Sequence, residues 1–197
     1  MPAAKRPSAR AALSLLEVRD RDELRQWLAA NHATSPGVLL AIGKKGGHVT
    51  SLTYEDAIEE ALGFGWIDTT AHALDADRMT VTFTRRKRGG TWSRSNKDRV
   101  ERLTATGRMA PAGLAAVETA KADGSWTVLD DVEDLVVPED LAASLAAAPT
   151  AAEGWDRSSA SQRKMALHWI ASAKRPETRA RRVSEIARAA CEGRRLR

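Results

Sequence analysis

A run of cations and glycines stands out in the segment FTRRKRGGTWSRSNKDRVERL, residues 83–103. Four consecutive basic residues lead to two glycines and a tryptophan: Arg85, Arg86, Lys87, Arg88, Gly89, Gly90 and Trp92. Arginine forks bind carboxylates and phosphates through two parallel hydrogen bonds, and a glycine pair lets backbone N–H groups converge on an oxyanion. A helix start just after the glycines adds orphan N–H groups and a favourable dipole. The segment therefore predicts an anion-binding site.

Other side chains complete this predicted site. Trp92 can stack on a planar ligand or an arginine, and Ser93 and Asn96 can add polar lining. Trp66 and Asp68, in the stretch GWID, face the same cleft if their strand pairs with the one before the basic segment. Asp68 would then be a salt-bridge anchor or a general base. In the structural alternative, a serine caps the helix, Trp92 fills the core and the cations are solvated.

Charge is distributed unevenly along the chain, whose net charge is +5. Residues 85–108 carry a net charge of +7, residues 109–155 carry −8 and residues 156–197 carry +8. The acidic middle either folds back to neutralise its neighbours or leaves the two basic blocks free to form one anion-binding face. Local neutralisation is the favoured interpretation because it needs no ligand.

Several classes of site lack their usual residue patterns. The four histidines are scattered without a partner at metal-ligand spacing, so we predict no metal and no cofactor. No phosphate-binding P-loop and no nucleophile elbow are present, and we assign no catalytic residue. A single cysteine, Cys191, fits a reducing compartment, and no apolar run is long enough to span a bilayer. We expect a cytoplasmic protein.

Periodicity predicts the elements that position the basic segment. GVLLAIG (37–43) reads as a buried strand, WIDTTAHAL supplies a strand at 66–72, and RMTVTFT (78–84) alternates apolar with polar residues. Helices are expected at about 22–31 and 54–63, where Asp20 and Thr53 provide caps. The predicted fold class is α+β, with a small antiparallel three-stranded sheet packed on helices.

Beyond Thr84 the pattern becomes helical to the C-terminus. We predict a disordered tail over residues 1–19, an α+β domain over 20–108 and a helical module over 109–197 that packs on the first domain. In the last helix, small and aliphatic residues line one face and arginines cover much of the rest.

A family resemblance rests on several motifs in order. FGWID, the basic segment, GRMAPAGLAAVETAKADGSW, VPEDLAASLAAAP and HWIASAKRPETRARRVSEI together resemble the YdeI/OmpD-associated, or bacteriocin-protection, family. Relative to that pattern, Gly63 replaces a common cysteine and Arg85 a proline. The resemblance implies an α+β N-terminal part, a helical C-terminal module and a link to resistance against cationic peptides and bacteriocins, in some members with a porin. It implies no catalytic activity.

Three functional hypotheses follow. The leading one is a non-catalytic binding protein in peptide or bacteriocin resistance, with a basic cleft for an anionic small molecule or an acidic partner. Nucleic-acid binding is the first alternative, motivated by a pI of about 9.7 and the arginine-rich last helix. The second is an enzyme that acts on a phosphorylated or carboxylated metabolite through Asp68 and the arginines. We expect a monomer or a homodimer.

Overall fold

A computed structural model describes residues 13–44 and 51–196. Residues 1–12 of the predicted tail lie outside the described residues. The contacts divide the chain into two compact units, unit 1 up to Trp126 and unit 2 from Thr127 onward. The predicted boundary after residue 108 differs, because residues 109–126 make their contacts within unit 1. The independence of the two parts as folding domains stays a prediction.

Unit 1 combines a sheet with four helices among its described residues. The strands are β1 (Leu15–Leu16), β2 (Val38–Gly43), β3 (Trp66–Ala73) and β4 (Arg78–Arg85). The helices are α1 (Arg21–Asn31), α2 (Tyr54–Gly63), α3 (Arg94–Ala105) and α4 (Pro111–Ala122). Local capping explains where helices begin: Asp20 accepts a hydrogen bond from the Glu23 N–H, and Thr53 and Asp56 form a reciprocal capping box.

The sheet is mixed and four-stranded, with strand order β1-β2-β4-β3. The three predicted strands are present, and β2 and β3 both pair with β4 antiparallel. The prediction of a purely antiparallel, three-stranded sheet is wrong, because Leu15–Leu16 pairs with β2 in parallel. A two-residue strand has no periodicity to read, and it lies in the segment that was predicted to be disordered.

Unit 1 has two clusters of buried side chains. The first packs α1 and α2 on the sheet and contains Leu24, Leu28, Leu40, Ile42 and Phe83. The second contains Leu62, Trp92, Val100, Leu103, Val117 and Ala120. The second cluster joins α2, α3 and α4. Through Trp92 it also includes the segment that follows β4, so this segment packs against the helices.

Glycine allows an unusually close helix contact in unit 1. A Cβ atom at Gly113 on α4 would lie 2.1 Å from the carbonyl oxygen of Gly63 at the end of α2. That distance is far below van der Waals contact, so only glycine lets α4 approach α2 this closely. The position of α4 therefore depends on Gly113.

Unit 2 consists of helices and the connections between them in its described residues. It contains α5 (Asp130–Glu133), α6 (Glu139–Ala146), α7 (Pro149–Arg157), α8 (Ala160–Ala171) and α9 (Pro176–Cys191). Its core includes Leu141, Trp155, Leu167, Ile170, Val183 and Ile186. Trp169 packs at the edge of this core and is partly exposed. Across both units, no described helix is long and apolar enough to cross a membrane.

Candidate functional site

The basic segment begins where the sheet ends. Arg85 is the last residue of β4 and pairs with Trp66 across the ladder. One residue later, the Arg86 N–H donates to the carbonyl oxygen of Gly65 at 2.9 Å. The pairing therefore fixes the backbone of Arg86 before the chain leaves the sheet.

A tight turn follows over residues 87–90. The Gly90 N–H donates to the carbonyl oxygen of Lys87 at 3.1 Å, and Gly89 in the third position has a φ of +70°. Type II turns require a positive φ at this position, which favours glycine. The turn leaves the side chains of Lys87 and Arg88 exposed.

The guanidinium of Arg86 lies on an aromatic ring. Its Cζ is 3.7 Å from the ring centroid of Trp92, and its Nη1 donates to the carbonyl oxygen of Thr91 at 3.3 Å. Its Nε is buried and has no hydrogen-bond partner among the described residues. Burial lowers the pKa of Arg86 to about 10, while the negative charge of Asp68 acts in the opposite direction. The environment therefore disfavours a charge that the residue still carries at neutral pH.

Helix α4 supplies the opposite wall of a cavity beside Arg86. This cavity measures about 130 Å³ and is called here the Arg86 cavity. It is lined by Arg86, Lys87, Arg88, Gly89, Trp92, Ala116, Thr119, Ala120, Asp123 and Ser125. Three of these side chains are cationic and one is anionic, so the cavity has a positive excess.

The structure brings together five of the eleven predicted site residues. Arg86, Lys87, Arg88, Gly89 and Trp92 line the Arg86 cavity. The remaining six do not line it: Trp66, Asp68, Arg85, Gly90, Ser93 and Asn96. The basic turn thus lies at one cavity, while the predicted residues of β3 and of the start of α3 lie outside its lining; the binding role of all eleven stays a prediction.

Trp66 belongs to the hydrophobic core. It is 1% exposed, its ring meets that of Trp27 edge-on at 5.9 Å, and its Nε1 donates to the carbonyl oxygen of His32. Asp68 accepts a hydrogen bond of 2.7 Å from the Tyr54 hydroxyl. Burial, and then this hydrogen bond, raises the pKa of Tyr54 to about 12. Asp68 thus has a structural partner.

The other predicted residues also have local partners. Arg85 donates to the carbonyl oxygen of Ala33 at 3.1 Å. Ser93 caps α3 by accepting from the Asn96 N–H, and the Asn96 Oδ1 accepts from Arg99 at 3.1 Å. Two parts of the structural alternative are therefore present, since a serine caps the helix and Trp92 is buried.

Sequence reasoning missed the second wall of the cavity. Asp123 follows α4 and accepts hydrogen bonds from the N–H groups of Gly89, at 3.1 Å, and of Ser125, at 3.0 Å. The only signal in the sequence was the stop signal DGS at residues 123–125. That signal marks the end of a helix but does not show that the helix reaches the basic segment.

Sequence reasoning also missed a buried carboxylate. Glu60 on α2 is 1% exposed and accepts hydrogen bonds from Arg21 Nε at 2.6 Å, Arg25 Nη1 at 2.8 Å and Arg108. We call these four residues the Glu60 network. A glutamate between the buried residues Ala57 and Ala61 was a signal that it needed cationic partners.

Arginines of the last helix are partly engaged within unit 2. Arg179 holds Asp140 through two hydrogen bonds of 2.7 and 2.9 Å, which keep the pKa of that carboxyl below its usual range. Arg182 lies over the ring of Trp169 and donates to its carbonyl oxygen. Arg181 and Arg188 are exposed.

Two known protein families match the chain, one over its N-terminal part and one over its C-terminal part. Residues 16–116, about half of the chain, match a family described as a domain of unknown function, DUF8412. Residues 134–193 match the family OmdA, described as "Bacteriocin-protection, YdeI or OmpD-Associated". No curated protein and no solved structure matches. The chain therefore belongs to the DUF8412 family, and its C-terminal part is an OmdA domain of the YdeI/OmpD-associated type.

Proposed function

We propose that this chain is a non-catalytic binding protein that takes up an anion in the Arg86 cavity. The observation that carries this proposal is the set of contacts that the Arg86 guanidinium makes. Its guanidinium is half-buried on Trp92 and forms no ion pair with any described carboxylate. Each of the three arginines of the Glu60 network, by contrast, reaches a carboxylate directly.

An anion in the cavity would relieve the cost of burying Arg86. Burial disfavours a charged group, and a nearby opposite charge favours it. An oxyanion beside Arg86 would supply that charge. Lys87 and Arg88 add longer-range attraction at the mouth of the cavity, weakened by salt.

The biological role that we propose is protection against bacteriocins or cationic peptides. The printed description of the OmdA family supports this role. The Arg86 cavity attracts anions and is unsuited to a cationic peptide, so we propose that its ligand is a separate, small anionic molecule. Binding of that ligand stabilises unit 1, which contains the whole cavity.

Anion-dependent thermal stabilisation tests the proposal. Phosphate and sulfate are titrated while chloride is reduced to hold the ionic strength constant, and the thermal midpoint is measured for wild type, Arg86→Gln and Arg85→Gln. Arg85 is the matched control because it is adjacent, exposed and outside the cavity.

We expect the midpoint to rise with anion concentration in wild type and in Arg85→Gln, because a ligand that binds only the folded state stabilises it. Arg86→Gln should show no such rise. Equal responses of all three proteins to both anions would refute the proposed site.

A further inference from the structure

The Arg86 cavity already holds one anionic group of its own. Asp123 Oδ2 accepts the Gly89 N–H and Oδ1 accepts the Ser125 N–H. Hydrogen bonds from Ser125, then the Gly89 N–H and the charge of Arg88, keep the pKa of Asp123 below its usual range. Asp123 is therefore a carboxylate at neutral pH, next to the cations of the turn.

The position of Asp123 on its own helix would disfavour this charge. Asp123 is the C-cap of α4, where the helix dipole presents its negative end. A carboxylate is unfavourable there unless other groups compensate for the repulsion. The compensating groups on the other side of the cavity are the Gly89 N–H and Arg88, both from the basic turn. The basic turn thus provides a favourable environment for an anion.

We propose that Asp123 is an internal counter-ion which an external anion displaces, and that the external ligand is a compact oxyanion such as phosphate, sulfate or a short carboxylate. This inference rests on the proposed function of the same cavity. The two anions compete because one backbone N–H, that of Gly89, donates to one strong acceptor at a time. Two negative charges in the same small space also repel each other.

The size of the cavity limits the ligand. Its volume is about 130 Å³. A tetrahedral oxyanion fits this space, whereas a nucleoside attached to the phosphate would have to extend beyond it. The positions of the walls are fixed by regular backbone structure, since Gly89 lies in a hydrogen-bonded turn and Thr119 and Ala120 lie on α4.

Removing the charge of Asp123 tests the competition directly. Phosphate binding is measured by isothermal titration calorimetry on wild type, Asp123→Asn and Asp98→Asn. The asparagine at position 123 keeps one oxygen, which can still accept from the Ser125 N–H, whereas its NH2 group cannot accept from the Gly89 N–H. Asp98→Asn is the matched control because it makes the same change in net charge at an exposed residue outside the cavity.

We expect Asp123→Asn to bind phosphate about tenfold more tightly, because one like charge a few ångströms away is gone. Asp98→Asn should bind as wild type does. In wild type, the Gly89 amide resonance should shift on addition of phosphate, because this N–H changes its acceptor. Adenosine monophosphate should bind more weakly than phosphate.

Three failures are distinguishable. If wild type binds phosphate in an Arg86-dependent manner but Asp123→Asn binds equally or more weakly, the displacement of Asp123 is wrong and the anion site stands. If adenosine monophosphate binds more tightly than phosphate, the assignment of a compact ligand is wrong. If neither wild type nor Asp123→Asn binds any of these anions, the proposed function itself fails and takes this inference with it.

Discussion

Two arginine-rich regions of unit 1 differ in what their guanidinium groups contact. In the Glu60 network, Arg21, Arg25 and Arg108 surround one buried carboxylate. In the Arg86 cavity, the half-buried guanidinium lies on Trp92, and the one carboxylate of the lining binds backbone N–H groups. Counting basic residues cannot separate these cases. The regions differ in whether a carboxylate contacts the guanidinium group directly, and this difference supports our proposal of an anion site in the Arg86 cavity.

The largest loss of stability is expected when the buried carboxylate of the Glu60 network loses its charge. Glu60→Gln removes the charge that three arginines share while it keeps the shape of the side chain. We expect the free energy of unfolding to fall by about 3–5 kcal/mol, because Arg25 and Arg108 lose their carboxylate partner. Arg21 keeps its ion pairs with Asp56 and Glu59. Urea unfolding measures this change.

Glu118→Gln is the control for that experiment. Glu118 contacts Lys121 on the exposed surface of α4, and such pairs contribute little. The control should stay within about 0.5 kcal/mol of wild type. A loss of less than about 1 kcal/mol in Glu60→Gln would show that the arginines are satisfied by solvent.

A smaller difference in stability is expected between variants that each lack one arginine, from the Glu60 network or from the Arg86 cavity. Arg25→Met is expected to cost about 2 kcal/mol, since Glu60 loses one of three partners and remains buried. Arg86→Met is expected to change stability by less than about 1 kcal/mol, because the lost stacking on Trp92 is offset by removal of a disfavoured charge.

Phosphate should widen the difference between wild type and Arg86→Met. At a concentration 100 times its dissociation constant, phosphate should stabilise wild type by about 2.7 kcal/mol and should leave Arg86→Met unchanged. Urea unfolding with and without phosphate measures both values. Equal losses in Arg25→Met and Arg86→Met without phosphate would contradict the comparison.

Alkaline pH should affect Arg86 and Tyr54 in opposite directions. Tyr54 has a pKa of about 12, above the usual value near 10, so the folded state holds its proton longer and stability falls as pH rises through this range. Arg86 has a lowered pKa of about 10, so the unfolded state holds its proton longer and stability rises.

Tyr54→Phe should therefore make the loss of stability between about pH 10 and 12 shallower, and Arg86→Met should make it steeper. Tyr54 is 40% exposed, so we expect a modest change in slope. Chemical denaturation at several alkaline pH values measures the slopes. The same slope in both variants would mean that neither group has a perturbed pKa.

The smallest effect concerns the arginine-rich last helix. Arg181→Gln combined with Arg188→Gln should change stability by no more than about 0.5 kcal/mol, because both side chains are exposed. Phosphate binding should also be unchanged, since neither residue lines the Arg86 cavity. A clear loss of phosphate affinity would locate the anion site on α9 and would favour the nucleic-acid alternative.

Much of unit 1 was predictable because its signals are local. Alternation predicted β4 at residues 78–84 and the structure has Arg78–Arg85, while Thr53 predicted the start of α2. The turn at residues 87–90 was also predictable, since the glycine pair follows the cations directly in the chain.

The rest depends on long-range packing. Glu60 meets its arginines across 35 to 48 residues of chain, and Asp123 meets Gly89 across 34. No spacing pattern in a single sequence predicts these long-range contacts. Trp66 was predicted to lie in the site because it shares a strand face with Asp68. Its ring packs instead into the core against Trp27, whereas Asp68 binds the Tyr54 hydroxyl.

The glycine contact between α2 and α4 makes the width of the cavity adjustable from a distance. Gly113 does not line the Arg86 cavity, yet α4 carries Ala116 and Thr119, which do. An alanine at position 113 would meet the carbonyl oxygen of Gly63, so α4 would have to move away from α2 and carry this wall with it. The width of the Arg86 cavity, and with it the size of the anion that we propose to bind there, can therefore be varied at positions 63 and 113 together, with every residue of the cavity lining left intact.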